Sequence, residues 1–171
     1  MFIKLAAPTL LLAALIGPAV AADPLPEAIA APGESVVLSV HAEGAQVYEC
    51  KAGTDGKLAW AFREPIATLF AEGKTIGRHY AGPNWEHADG SAVIGKMVGR
   101  LAIANASGQT TDIPWLKLEV TAHRGTGLLS DVTTVQRIHT KGGWLNDGPC
   151  DTAGSFQSVP YSAEYVFLKK G

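Results

Sequence analysis

Residues 113–123 read IPWLKLEVTAH. Leu116, Leu118, Val120 and Ala122 fall on one side of this stretch. Trp115, Lys117, Glu119, Thr121 and His123 fall on the other. A period of two over this length is a strand with one buried face, because successive side chains of an extended backbone point to opposite sides.

The neighbouring segments read the same way. Residues 131–140, DVTTVQRIHT, are rich in β-branched side chains and form a second long strand. Near the end, Tyr161, Ala163, Tyr165 and Phe167 alternate with Ser162, Glu164, Val166 and Leu168. Upstream, ESVVLSVHAEG (34–44) places Val36, Leu38 and Val40 on one face; Gly44 is expected to turn the chain into a partner strand, AQVYEC. Thr54-Asp55-Gly56-Lys57 carries the Asp-Gly signal of a hairpin before Leu58, Trp60 and Phe62 alternate again. Residues 65–70, PIATLF, are the one place where a helical turn is expected. Residues 91–105 read as one bent strand or two short ones, with Gly95 and Gly99 marking bulges. The count is eight or nine strands and no firm helix. With 19 glycines and 10 prolines for turns, the expected class is all-β, an antiparallel sandwich or barrel. No repeat of 20–50 residues points to a solenoid or propeller.

The first 21 residues have the anatomy of a signal peptide. Lys4 precedes an apolar run from Leu5 to Ile16, and Ala19-Val20-Ala21 is a small-x-small cleavage pattern. The run is short for a membrane span, which needs roughly 20 apolar residues. The expectation is an exported chain, periplasmic or extracellular, with residues 22–171 forming one β-rich domain and no membrane span. Without Lys4 the chain has 13 Lys and Arg against 16 Asp and Glu, a formal charge of −3. No basic run supports a nucleic-acid partner. Cys50 and Cys150 are the only cysteines. In an oxidising compartment an even pair reads as one disulfide, and their wide separation fits no zinc-ligand spacing.

The densest polar stretch is HYAGPNWEHADGS, His79 to Ser91. Gly82-Pro83-Asn84 reads as a turn, and Asp89-Gly90 as a type I′ hairpin turn. Trp85 between them is expected in the core or at its rim. His79, Glu86, His87 and Asp89 lack the spacing of a helical metal site, so no metal is expected. Glu86 and Asp89 could supply acid–base chemistry only if brought to one cleft with His79 or Asp131. Gly125-Thr126-Gly127 mimics a dinucleotide fingerprint, but the β-branched run that follows cannot form the helix such a site needs. It reads as a hairpin turn, and no cofactor is expected. Gln136 and Ile138 share one strand face, and Arg137 and His139 the other. Arg137 is expected either in an ion pair or binding an anionic ligand group.

Taken in order, GAQVYEC, GRHYAGPNWEHADGSAVIG, IPWLKLEV, VQRIHTKGGWLNDGPCD and VPYSAEYVF resemble domain-of-unknown-function family 3455, a group of exported bacterial and fungal proteins. The resemblance runs from about Gly33 to Phe167. It implies an exported single domain with a cysteine at each of positions 50 and 150, and it implies no established activity. The motif positions it marks are His79, Gly82, Pro83, Trp85, Glu86, Asp89, Gly90, Ser91, Trp115, Gln136, Arg137 and Thr140.

Three functions are compatible with this sequence. The first is an exported, disulfide-stabilised β-domain that binds a small molecule, a glycan or a cell-surface component, with His79, Trp85, Glu86, Asp89 and Arg137 as its site. The second is a hydrolase with acid–base groups among His79, Glu86, Asp89 and Asp131. The third is a structural or stress-related envelope protein. The sequence does not set the oligomeric state.

Overall fold

The computed structural model describes residues 25–104, 108–145 and 148–171. The expected signal peptide, residues 1–21, lies outside them. Eight antiparallel strands run in chain order around one closed barrel. They are β1 (Glu34–Ala52), β2 (Leu58–Ala71), β3 (Lys74–Tyr80), β4 (Asn84–His87), β5 (Ala92–Leu101), β6 (Trp115–Arg124), β7 (Thr134–Gly142) and β8 (Phe156–Lys170). Each pairs with its neighbour in sequence, and β1 closes the ring against β8 from Glu34↔Lys170 to Glu49↔Phe156. Of the two all-β forms expected, the chain adopts the barrel. Closure leaves no strand edge open to pair with another chain.

β1 is one strand of 19 residues, not two. Gly44 sits in its middle and does not reverse the chain. A Cβ there would come within 1.9 Å of the Ile66 carbonyl oxygen, so the glycine lets β2 cross closely where β1 bends around the barrel. Residues 65–70, expected as a helical turn, belong to β2. Pro65 stands opposite Gln46, beside the register shift at Val47 and Tyr48. A proline, which has no N–H to donate, is tolerated at such a bulge. A second bulge, between Val36 and Leu38, changes the facing of β1 at its start and leaves Val36 61% exposed. Gly95 and Gly99 do mark register shifts between β5 and β6, the first with the extra residue on β6 (Thr121) and the second with it on β5 (Val98).

The turns at 54–57 and 88–91 share one geometry. Gly56 N–H donates to the Gly53 carbonyl and Gly53 N–H to the Lys57 carbonyl; Gly90 N–H donates to the His87 carbonyl and His87 N–H to the Ser91 carbonyl. Only the glycine has positive φ in each, 76° at Gly56 and 89° at Gly90. These are three-residue loops closed by a glycine bulge, not the type I′ turn expected at Asp89-Gly90, which needs two residues with positive φ. Asp55 and Asp89 each accept a backbone N–H two residues on, which explains the aspartate before each glycine.

The interior is filled at one end. Leu118, Val135, Trp85, Phe167 and Tyr165 pack there with Val40, Ala42 and Leu69. The connection at 125–133 folds across that end and sets Leu129 and Val132 into the core. Burying each such side chain contributes roughly 1.5–3 kcal/mol. Asp89 and Ser91 fasten the connection. Leu128 N–H donates to Asp89 Oδ2 at 2.8 Å, Ser91 Oγ donates to Asp89 Oδ1 at 2.6 Å, and Leu129 N–H donates to Ser91 Oγ at 3.2 Å. A second small cluster lies outside the barrel wall. There a short 3-10 turn, Glu27–Ile29, places Ile29 against Ile138, Val166, Leu168, Leu101 and Trp115. Gln136 Nε2 donates to the Ile29 carbonyl at 2.6 Å, so the outward face of β7 is covered rather than wet.

The Cys50–Cys150 disulfide forms, with Cα atoms 6.0 Å apart. It ties the end of β1 to the β7–β8 connection at the opposite end of the barrel from Leu129. No helix among the described residues is long and apolar enough to cross a membrane.

Candidate functional site

The end carrying the disulfide is open. A cavity of about 490 Å³ enters the barrel there. Its walls come from Tyr48 on β1, Phe62 and Pro65 on β2, Met97 on β5, Leu116 and Leu118 on β6, and Trp144 and Leu145 after β7. Gly82 and Pro83, in the β3–β4 turn, form part of the mouth. An eight-stranded barrel is just wide enough for its own side chains or for one small ligand. In this barrel side chains fill one end and leave the other vacant.

Polar groups gather at the inner end of the cavity. His79 lies on β3, and its Nδ1 is 2.8 Å from the Asn84 carbonyl oxygen. A carbonyl only accepts, so Nδ1 carries the proton of the neutral ring and Nε2 stays an acceptor. The ring stacks on Trp85, with centroids 4.4 Å apart and planes 10° from parallel. Burial pushes the His79 pKa down to about 3; the Asn84 hydrogen bond opposes this and the Arg137 charge adds to it. His79 is therefore uncharged at neutral pH.

Arg137, on β7, is only 8% exposed. Its Nε and Nη2 donate to the Pro114 carbonyl at 3.1 and 2.9 Å. Among the described residues no carboxylate lies within ion-pair distance of it. The expectation left two readings for this arginine, and no partner for the ion pair is found among those residues. Tyr165 and Tyr161 on β8 stand close by, their hydroxyls 3.3 Å apart. Burial raises the pKa of both phenols; the Arg137 charge acts in the opposite direction on each. Gln46 on β1 also lines the cavity. Its Nε2 is buried and engages only the Tyr161 hydroxyl, short of good hydrogen-bond geometry, and Trp85 Nε1 is buried without a partner.

The sequence-derived site residues separate into three places. His79, Trp85 and Arg137 meet in the barrel. Glu86 follows Trp85 on β4 and points outward. It holds Arg78 at 3.0 Å, receives the Tyr80 hydroxyl at 2.9 Å and lies 3.7 Å from Arg124. The Tyr80 hydrogen bond, aided by both arginines, holds its carboxyl below the usual range. Asp89 is in the β4–β5 turn at the closed end. The Leu128 N–H and the two Ser91 donors hold its carboxyl well below the usual range, so it is ionised. His139, expected on Arg137's face, has left it. A bulge after Ile138 gives His139 a φ of 51° and turns it outward to Glu164 at 2.9 Å. Trp115 is on the outer wall, edge-on to His139.

Gln46, Tyr161 and Tyr165 were missed as site residues. A signal was available: on a strand whose alternate residues are buried, a polar tip at a buried position must find a partner or a purpose. Tyr161 and Tyr165 stand on such a face in YSAEY.

The acid–base arrangement expected of a hydrolase does not form from His79, Glu86 and Asp89, which face the interior, the outer wall and the far turn. Among the described residues no group of three or more His, Cys, Asp or Glu is placed to hold a metal ion. Neither a curated protein nor a solved structure matches the chain. A family model described as "Protein of unknown function (DUF3455)" matches residues 31–169, from just before β1 to the end of β8. The chain belongs to that family, and its disulfide, its barrel and its half-vacant interior all lie within the matched residues.

Proposed function

We propose that this protein is an exported binding protein that takes one small apolar or amphipathic molecule into its barrel. The observation that carries this reading is the vacant half of the interior. Its volume, about 490 Å³, falls within the roughly 300–1,000 Å³ of small-molecule sites. Its walls are predominantly apolar, with a few converging polar groups at depth, which is the composition of such sites. A glycan is a poorer fit, since Phe62, Met97, Leu116 and Leu118 offer its hydroxyls no hydrogen bonds. The signal-peptide pattern supports export, and a disulfide that forms is in keeping with an oxidising compartment.

A neutral fluorescent apolar probe, N-phenyl-1-naphthylamine, tests the reading. Its emission should rise on binding with one site per chain. Leu116→Trp, which fills the cavity from β6, should reduce the affinity at least tenfold. Saturable binding that is indifferent to Leu116→Trp would place the probe elsewhere and refute the proposal.

A further inference from the structure

Resting on that reading, we infer that the molecule carries a carboxylate and enters head first, its anionic group meeting Arg137 and Gln46 and its apolar body lying toward the mouth. The inner and outer ends of the cavity differ in kind. At the inner end every polar side chain is buried: Arg137, Gln46, His79 and Tyr165. At the outer end Phe62 and Met97 are 54% and 53% exposed although both are large and apolar. A ligand that is polar inside and apolar outside satisfies both ends at once.

The charge balance selects an anion. Arg137 is a cation in a low-dielectric interior with no carboxylate among the described residues to offset it, and burying an unpaired charge is unfavourable. A guanidinium has five N–H donors. Two are directed at the Pro114 carbonyl and the guanidinium also faces the Tyr165 hydroxyl, which leaves donors for another acceptor. Gln46 Nε2 adds a second buried donor, weakly engaged by the Tyr161 hydroxyl. A carboxylate is an acceptor-only group with about four lone-pair sites, and it pairs with a planar guanidinium more favourably than a neutral amide does. His79 does not compete as a second cation, because burial holds it neutral. The mouth also has arginines, but they cannot direct the head outward as strongly. Arg63 is already paired with Glu64 at 3.0 Å, and Arg100 is exposed, where solvent screens an ion pair.

Decanoate and decanamide, matched in chain length and differing in charge, test this at pH 7. Titration calorimetry should show decanoate binding at least tenfold more tightly than decanamide. Arg137→Gln should reduce that ratio to about twofold or less, with decanamide affinity nearly unchanged. Gln46→Leu should weaken decanoate severalfold and decanamide little, and it decides the matter if Arg137→Gln fails to fold. Equal affinity for the two probes in the native protein would overturn the head-group inference and leave the cavity reading standing. A preference that survives Arg137→Gln in a folded variant, or one lost on Arg100→Gln instead, would overturn it too. If neither probe binds, the cavity reading fails, and the inference with it.

Discussion

The neutral His79 makes the interior's dryness measurable. In the unfolded chain its imidazole titrates near the ordinary value of about 6.5. In the barrel, burial depresses the pKa to about 3. The unfolded state therefore binds one more proton throughout the interval between these values. Stability is fully present above about pH 6.5 and is lost as pH falls below it. At about 1.4 kcal/mol per pH unit, this one residue costs about 2 kcal/mol between pH 7 and pH 5. The result depends little on the native value, provided it stays below about 4. Asp89, Glu86 and Glu164 have depressed pKa values, so their contribution is lost only on further acidification, below the ordinary carboxylate range near 4. The assay is urea unfolding at pH 7, 6 and 5 for the native protein and for His79→Asn, which keeps a donor toward the Asn84 carbonyl. His79→Asn should be less stable at pH 7, by about 2–3 kcal/mol for the lost ring contacts on Trp85. The gap between the two proteins should then close by about 2 kcal/mol at pH 5. A constant gap across this range would mean that His79 takes up a proton freely in the folded barrel, and the account of a dry inner end would be wrong.

Two further outcomes follow from the ends of the barrel. Replacing both Cys50 and Cys150 by serine opens a link spanning 100 residues, worth about 4–5 kcal/mol in the chain-entropy account; calorimetry should show a Tm lower by about 10–20 °C, and a fall of under about 3 °C would refute that account here. Ser91→Ala removes the acceptor of the buried Leu129 N–H and should cost about 1–3 kcal/mol, with faster amide exchange at Leu129; unchanged exchange there would count against a fastened closed end.

Much of the fold was legible because barrel strands alternate. β8 and the first half of β6 were readable at single-residue level, and their inward residues, Leu116 and Leu118, Tyr161 and Tyr165, are the ones that line or close the cavity; past Val120 an extra residue, Thr121, breaks the alternation and Ala122, read as buried, is exposed. The failures have local physical causes. Gly44 read as a turn because glycine serves both reversals and close backbone approaches, and only the distant Ile66 carbonyl distinguishes them. Residues 65–70 read as a helical turn because Pro65 punctuates the strand, whereas the bulge that accommodates it, with Arg63 as the extra residue of β2, shows only in the pairing with β1. His139 was assigned Arg137's face because an inserted bulge residue shifts every later side chain by one, and composition does not announce it. The site itself was half legible. Arg137, His79 and Trp85 stood out by type, but the depth that makes Arg137 unusual is set by eight strands at once.

The stretch from His79 to Ser91 illustrates why residue type alone misleads about sites. In thirteen residues it crosses the barrel wall, passes the mouth and reaches the closed end. His79 and Trp85 face inward, Gly82 and Pro83 shape the entrance, Glu86 binds arginines on the outer face, and Asp89 and Ser91 fasten the connection that carries Leu129. Their proximity in sequence reflects a short hairpin, β3–β4, running into the next turn, and not a shared task. Ligand affinity should therefore follow the inward pair. Changes at Asp89 and Ser91 act through the plug, loosening the closed end while leaving the donors around Arg137 in place. A screen that scored only stability would rank Ser91 above Gln46, although Gln46 is the one that lines the cavity.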